Sequence, residues 1–458
     1  METALQKSIA KPNAPASSPR ADIASFAPAT TGSPQRYVQL LLLVLAAGGI
    51  YPLLYLRQVY QTTMLDVLHI DNTQLGYLYS VLGIVFFVSY LPSGWLADRV
   101  APRLLICFSL IGTGALGLWY STAPAFNVLL VIFCCWGLTT GLTFWASVLK
   151  RVRMIAAPNE QGRFFGLLDG GRGLVEALLA TAALALFAAA TGSGLGEAAG
   201  LRHVIYMYSF TCIALGAAMT FFKDPAPTPA DAASKSADAA GANTHGSLWR
   251  DLRTLASIPQ LWLMAAVVFC GYQIFWATYS FSAYLQQGEL HMSVVAAGMV
   301  TTAKLWMRPI GGIGGGFLGD RFSNLRVLIW AMFLAVAGLV GLIVLPALRN
   351  MALLGAVVLF IGLMTYAIRG LYWTLLDYCA IPMRITGLAI GLVSLVGYSS
   401  DIFLPLVNGY FTEHYAGLLG YQFYFAYIAV IGALGGIAAL VLKRMSHASP
   451  VSTLSESA

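Results

Sequence analysis

One apolar stretch of this chain contains three ionisable residues, Asp169, Arg172 and Glu176. At i, i+3 and i+7 they share one face of a helix. A second apolar stretch carries Lys304 and Arg308 at i and i+4, and single charges interrupt others at Arg57, Arg369 and Asp401. Charges among apolar neighbours are costly and are as a rule kept for function. Arginine and lysine in a low-dielectric interior attract an anion. A carboxylate without its full hydration exchanges a proton more readily. Arg57, Arg172, Lys304, Arg308 and Arg369 are therefore candidate anion ligands. Asp169, Glu176 and Asp401 are candidate proton carriers. Tyr272 joins the first group, because Tyr272, Trp276 and Tyr279 form an aromatic stripe at i, i+4 and i+7 that suits a cavity wall.

The elements that position these residues follow from composition. Of 458 residues, 58% are hydrophobic and only 10% charged, with a mean hydropathy of +0.74. Soluble domains carry roughly 25% charged residues. A spanning helix needs about 20 mainly apolar residues. Twelve segments qualify: 37–60, 73–97, 103–121, 126–149, 163–190, 203–222, 259–287, 293–318, 326–346, 351–376, 385–411 and 419–442. The expected fold is an all-α membrane protein of twelve transmembrane helices. Residues 1–34, rich in Ala, Pro and Ser, read as a disordered tail, and 223–250 as a linker. The expected division is a six-helix half over 35–222, a second over 251–443, and a short tail over 444–458.

Of 26 Lys and Arg, nineteen fall in tails and loops on the side of the N-terminus, two (Arg202 and Arg349) in loops on the other side, and five inside segments. The positive-inside rule places both termini and the linker in the cytoplasm of a cell, or bacterial inner, membrane. The net charge of +7 is thereby explained by topology, and nucleic acid is not expected as a partner. No nucleophile–base pair, metal-ligand spacing or ATP-binding motif appears, so neither an enzyme nor a cofactor is expected.

The two halves share motifs. Gly94-Trp95-Leu96-Ala97-Asp98-Arg99, with Arg103 following, is matched by Gly316-Phe317-Leu318-Gly319-Asp320-Arg321, with Arg326 following, 222 residues later. Arg163-x-x-Gly166-x-x-x-Gly170 is matched by Arg384-x-x-Gly387-x-x-x-Gly391 at an offset of 221. Glycines at this spacing let a neighbouring helix approach closely. Paired motifs at one offset, with a G-x-L-x-D-R-x-x-x-R turn between segments two and three, resemble the major facilitator superfamily, whose members are built from two parallel six-helix halves. The resemblance implies a conformational gate at Gly94, Asp98, Arg99, Arg103, Asp320 and Arg321, with Asp98 steadying the outward-open state. Asp98→Asn is then expected to slow cycling more than it weakens binding; a tenfold change in Kd at an unchanged cycling rate would exclude that role.

Tyr55-Leu56-Arg57, followed by Asn72-Thr73-Gln74-Leu75-Gly76, is similar to the organophosphate antiporters and related anion:cation symporters. That resemblance implies Arg57 as an anion ligand; its place near the end of a segment equally suits snorkelling to the interface. Those antiporters carry a second arginine in helix seven, which this chain lacks near Tyr272, and Lys304 and Arg308 stand in its stead. Counting about 1.5 Å per residue, Glu176 lies roughly 20 Å deep, between Arg308 and Lys304. Superfamily topology brings helices five and eight together, so Glu176 is expected within reach of one of these cations. The implied function is proton-coupled transport of a small organic anion (carboxylate, sulfonate or phosphate ester) by a monomer. Its partners would be the anion, protons or a counter-anion, and the lipid bilayer. The alternatives are a multidrug:proton antiporter and a ligand sensor without net flux.

Overall fold

A computed structural model describes residues 34–156, 160–222, 245–379, 381 and 385–448. The expected tail 1–34 (apart from its last residue), most of the linker 223–250, Arg384 and the end of the C-terminal tail lie outside the described residues, and so does the side chain of Asp98. Among the described residues the protein is entirely helical. Twelve long helices or helix runs follow one another: α1 (Gln35–Leu68), α2 (Asn72–Arg99), α3 (Pro102–Tyr120), α4 (Phe126–Ile155), α5 (Gln161–Gly192), α6 (Glu197–Met219), α7 (Pro259–Leu285), α8 (Val294–Phe322), α9 (Asn324–Leu348), α10 (Met351–Tyr378), α11 (Leu388–His414) and α12 (Leu418–Ala448). A short helix, His245–Ala256, precedes α7.

Ten of these are long and apolar enough to cross a membrane. The two that fall short are α6, whose first turns hold Arg202 and His203, and α8, which carries Lys304 and Arg308. Both pack among the others nonetheless. The contacts repeat from one half to the other: α1 on α5 and α7 on α11, α3 on α6 and α9 on α12, α2 on α4 and α8 on α10. The most extensive contacts between the halves are α2 with α11 and α5 with α8, and α1 also meets α7 and α8.

Helix ends follow local chemistry. Asp71 caps α2 and makes a reciprocal capping box with Gln74, closing two otherwise orphaned backbone donors. Breaks in α1 at Tyr55–Leu56 and in α11 at Tyr398–Ser399 flank the centre of the molecule. Pro405 removes the N–H that would bond the carbonyl of Asp401, which turns toward Gly83 of α2 instead. The Gly311–Gly316 run packs α8 onto α10: a Cβ at Gly311 would sit 2.5 Å from the Leu363 carbonyl oxygen, and one at Gly315 would sit 3.1 Å from the Ala367 Cβ.

Candidate functional site

The helices are closed on one side of the membrane and parted on the other. On the side of Asp71 and His414, here the far side, α2 and α11 touch backbone to backbone. A Cβ at Gly76 would lie 2.7 Å from the Pro405 carbonyl oxygen, and one at Gly409 2.6 Å from that of Asn72. Ser80 donates to the Ile402 carbonyl oxygen at 2.5 Å. Cross-half bonds from α1 to α7 add to the seal: Thr62 donates to Gln286 and Ser282 donates to the Val59 carbonyl oxygen, each at 2.7 Å.

On the near side, that of Arg36 and the 94–103 turn, these contacts end. The rings of Tyr90 and Tyr398 are 6.4 Å apart, and further along, a Cβ at Gly94 or at Gly391 would meet nothing within 4 Å. The α5–α8 pair parts at the same level. Leu305 packs with Ala177 and Ala180, and Gly173 leaves room for the Arg308 side chain. Gly166 and Gly170 on α5, and Gly312 and Gly316 on α8, have nothing within 4 Å of a built Cβ. The close approach expected at Gly166 and Gly170 is therefore not present among the described residues.

Three of the candidate cations surround the resulting opening. Arg308 Nη1 donates to Glu176 at 2.5 Å, linking α8 to α5 across the two halves. Arg172 pairs with Asp169 at 3.0 Å and lies over the Trp145 ring at 4.8 Å. Asp169 is 74% exposed. Arg369 lies over Phe275 at 4.1 Å and over Tyr272 at 5.7 Å. Among the described residues its guanidinium has neither a hydrogen-bond acceptor nor a carboxylate in pairing range. Asp169 and Arg172 each lie within electrostatic reach of Arg308 and Arg369. Asp401 is enclosed at the inner end of this opening, accepting from Trp276 Nε1 at 2.6 Å.

Arg57 and Lys304 stand apart from that group. Arg57 is 2% exposed. It donates to Asn408 of α11 at 2.8 Å and lies over the rings of Tyr79 and Trp276. It neither snorkels to the interface nor faces the opening; it is part of the far-side seal. Lys304 is fully buried, donating to Gln58 at 2.8 Å and Thr278 at 3.2 Å. Glu176 thus has Arg308, and not Lys304, as its partner. Of the aromatic stripe, Tyr272 lines the Arg369 site, while Trp276 and Tyr279 are buried toward the far side, where Tyr279 stacks on Tyr55.

With Arg57 and Lys304 enclosed, the excess of cations over anions counted along the sequence does not carry over to the opening. Three guanidiniums there face three carboxylates once Asp401 is included. What remains is an unequal distribution of partners: every carboxylate is engaged and one arginine is not. Sequence reasoning missed Asn408, Gln58, Thr278, Trp145 and Phe275. Amides inside apolar segments, such as Gln58 and Asn408, were the available signal, because a buried amide needs a partner.

The near-side turn is tied within its own half. Lys150 donates to the Ala97 carbonyl oxygen at 2.6 Å, and Arg103 to that of Thr220 at 3.2 Å. Arg99 stacks over Trp95 at 3.9 Å. In the matching turn Asp320 and Arg321 are exposed, and Arg321 lies over Phe322.

The sequence profile of the Major Facilitator Superfamily matches residues 37–405. Inner membrane protein YihN of Escherichia coli is 29% identical over 410 residues, which is 89% of this chain and 95% of that protein. Inner membrane protein YqcE of the same organism is 27% identical over 391 residues, covering 83% and 88%. Among solved structures, a bacterial homologue of the human lysosomal transporter Spinster, in an inward-facing and unoccupied conformation, superposes with a TM-score of 0.71 at 15% identity over 92% of this chain and 100% of that one. The nucleoside transporter NupG gives 0.63 at 12% identity, over 90% and 99%.

Proposed function

Because the chain belongs to the major facilitator superfamily and is thus a multi-pass membrane transporter, we propose that its cargo is a small organic anion bound by Arg369, with Arg308 and Arg172 beside it. Arg369 carries the reading. It is a guanidinium stacked on two aromatic rings, facing the opening, with its donors unclaimed among the described residues. Such a group offers a planar, bidentate fork that fits a carboxylate, sulfonate or phosphate. Its aromatic bed fixes the fork's orientation at little entropic cost. The near side is cytoplasmic by the positive-inside rule, so the parted helices correspond to the inward-open half of alternating access. The chain works as a monomer on this reading, and its other partners are protons or a counter-anion and the bilayer.

Coupling to protons follows from the Glu176–Arg308 pair. An anion that reaches Arg308 competes with Glu176 for the same donors. The displaced carboxylate then needs its charge neutralised, because an unpaired ion at this depth is strongly disfavoured. A proton arriving with the anion does so, giving symport. Glu176→Gln removes the competition, and uptake into proteoliposomes is expected to lose its dependence on the pH gradient. A wild-type pH dependence in that variant removes Glu176 from coupling. The cargo reading is tested by counterflow with a panel of labelled carboxylates, sulfonates and phosphate esters. Flux of lipophilic cations in place of every anion would favour a multidrug antiporter, and binding with no flux a sensor.

A further inference from the structure

Lys304 is a buried basic residue that the anion site leaves unused. It is fully buried, its Nζ donates to the neutral oxygens of Gln58 and Thr278, and no carboxylate lies in pairing range among the described residues. The slot is shaped for its stem: a Cβ at Gly362 of α10 would sit 2.5 Å from Lys304 Cγ. Its two acceptors come from α1 and α7, one from each half, so the amine bridges the halves one helical turn to the far side of Arg308. An ammonium placed so gives up its hydration for two neutral acceptors, a cost that an amine does not incur.

We propose that Lys304 takes up and returns the coupling proton, with Glu176 as its counter-ion in the protonated half of the cycle. The inference rests on the anion-transport reading and specifies where its proton resides. Of the charged groups on the elements around Lys304, Asp169 and Arg172 of α5 and Arg369 of α10 belong to the near-side group from which it stands apart. The α5 helix offers Glu176, which lies within electrostatic reach of Lys304. The α1 helix offers Arg57, whose guanidinium is held by Asn408, and α8 itself offers Arg308. The α7 and α10 helices offer the phenols Tyr279 and Tyr366. Glu176 is therefore the carboxylate able to meet the amine, and Arg308 occupies it until an anion arrives.

The step balances. The anion binds Arg308 and its charge replaces that of Glu176. The freed carboxylate turns from Arg308 toward Lys304, four residues earlier on the same face of α8. The amine lone pair accepts one proton from water in the opening, giving an ammonium paired with Glu176. Release of the anion reverses each event, and the proton returns to water. One anion moves with one proton.

The test uses the full-length protein in liposomes, with lactate, ethanesulfonate and glycerol 3-phosphate as labelled probes. Wild-type uptake is expected to rise as the external pH falls. In Lys304→Met that pH dependence is expected to be flat, while counterflow, which moves no net proton, stays measurable and certifies a folded carrier. Lys304→Gln, which keeps a donor toward Gln58, provides the same comparison if the methionine does not assemble. A wild-type pH dependence in either variant overturns the proposal and leaves the anion reading intact. Absence of counterflow for all three probes in the wild type removes the anion reading, and this proposal with it. Without any variant, an indicator dye in weakly buffered wild-type protein is expected to report uptake of about one proton per bound anion; no uptake overturns the proposal.

Discussion

Arg369→Gln is expected to lower anion uptake by roughly 30- to 150-fold while leaving membrane insertion unchanged. The estimate takes about 2–3 kcal/mol for a charge-assisted hydrogen-bonded pair and converts it at a factor of ten per 1.4 kcal/mol. Arg369 is the clean position for this measurement because, among the described residues, its removal strands no hydrogen-bonded or salt-bridged partner. Its contacts are the faces of Phe275 and Tyr272, which a glutamine side chain still covers in part. Arg308 is a poorer choice: its removal leaves Glu176 without the partner it holds at 2.5 Å, so lost function there mixes binding with the cost of an unpaired carboxylate. Arg369→Lys sharpens the result. It keeps the charge but loses the planar fork and much of the stacking, and it is expected to recover only part of the wild-type rate. Uptake by Arg369→Gln within threefold of wild type, at equal protein in the membrane, would take Arg369 out of the binding site.

The charges were legible in the sequence because each breaks an apolar segment, and such breaks are rare and expensive. Their partners were less so. Depth along two helices pointed to Glu176 beside Arg308 or Lys304, because both are unbroken helices, so that a count of residues stands for distance. Arg57 defeated the same reasoning. A count along α1 sets it near an interface, yet the break at Tyr55–Leu56 and the packing of α11 bring Asn408 to it from 351 residues away. No local pattern encodes that meeting. The glycines show a second limit. Gly76, Gly166 and Gly170 are alike in sequence as small residues on helix faces, and only Gly76 is in contact here. Which of them packs is set by the arrangement of the two halves, which no local pattern spells out.

Gly76→Val is expected to hold the far side open and to abolish net uptake. In this structure the α2 backbone at Gly76 lies against the α11 backbone at Pro405, and a Cβ would come within 2.7 Å of that carbonyl oxygen. Both atoms belong to helix backbone, so neither can rotate away as a side chain would. Valine adds two further methyl groups at that point. Forcing extra carbons into a packed contact costs about 1–3 kcal/mol. That cost falls only on the state in which the far side is closed, since the opposite state separates α2 from α11 there. A difference of this size shifts the balance between the two states by roughly 5- to 150-fold. The readout is a cysteine placed at Ser80, which is buried in the seal and bonded to the Ile402 carbonyl oxygen. A membrane-impermeant maleimide added from outside is expected to label it faster in Gly76→Val than in the same protein with Gly76 kept. Substrate binding from outside should survive, because Arg369, Arg308 and Arg172 are untouched. Equal labelling in the two proteins, together with normal uptake, would mean that α2 and α11 can shift apart at Gly76 without reopening the seal, and the closure would then have to reside in the hydrogen bonds of Arg57, Thr62 and Ser282.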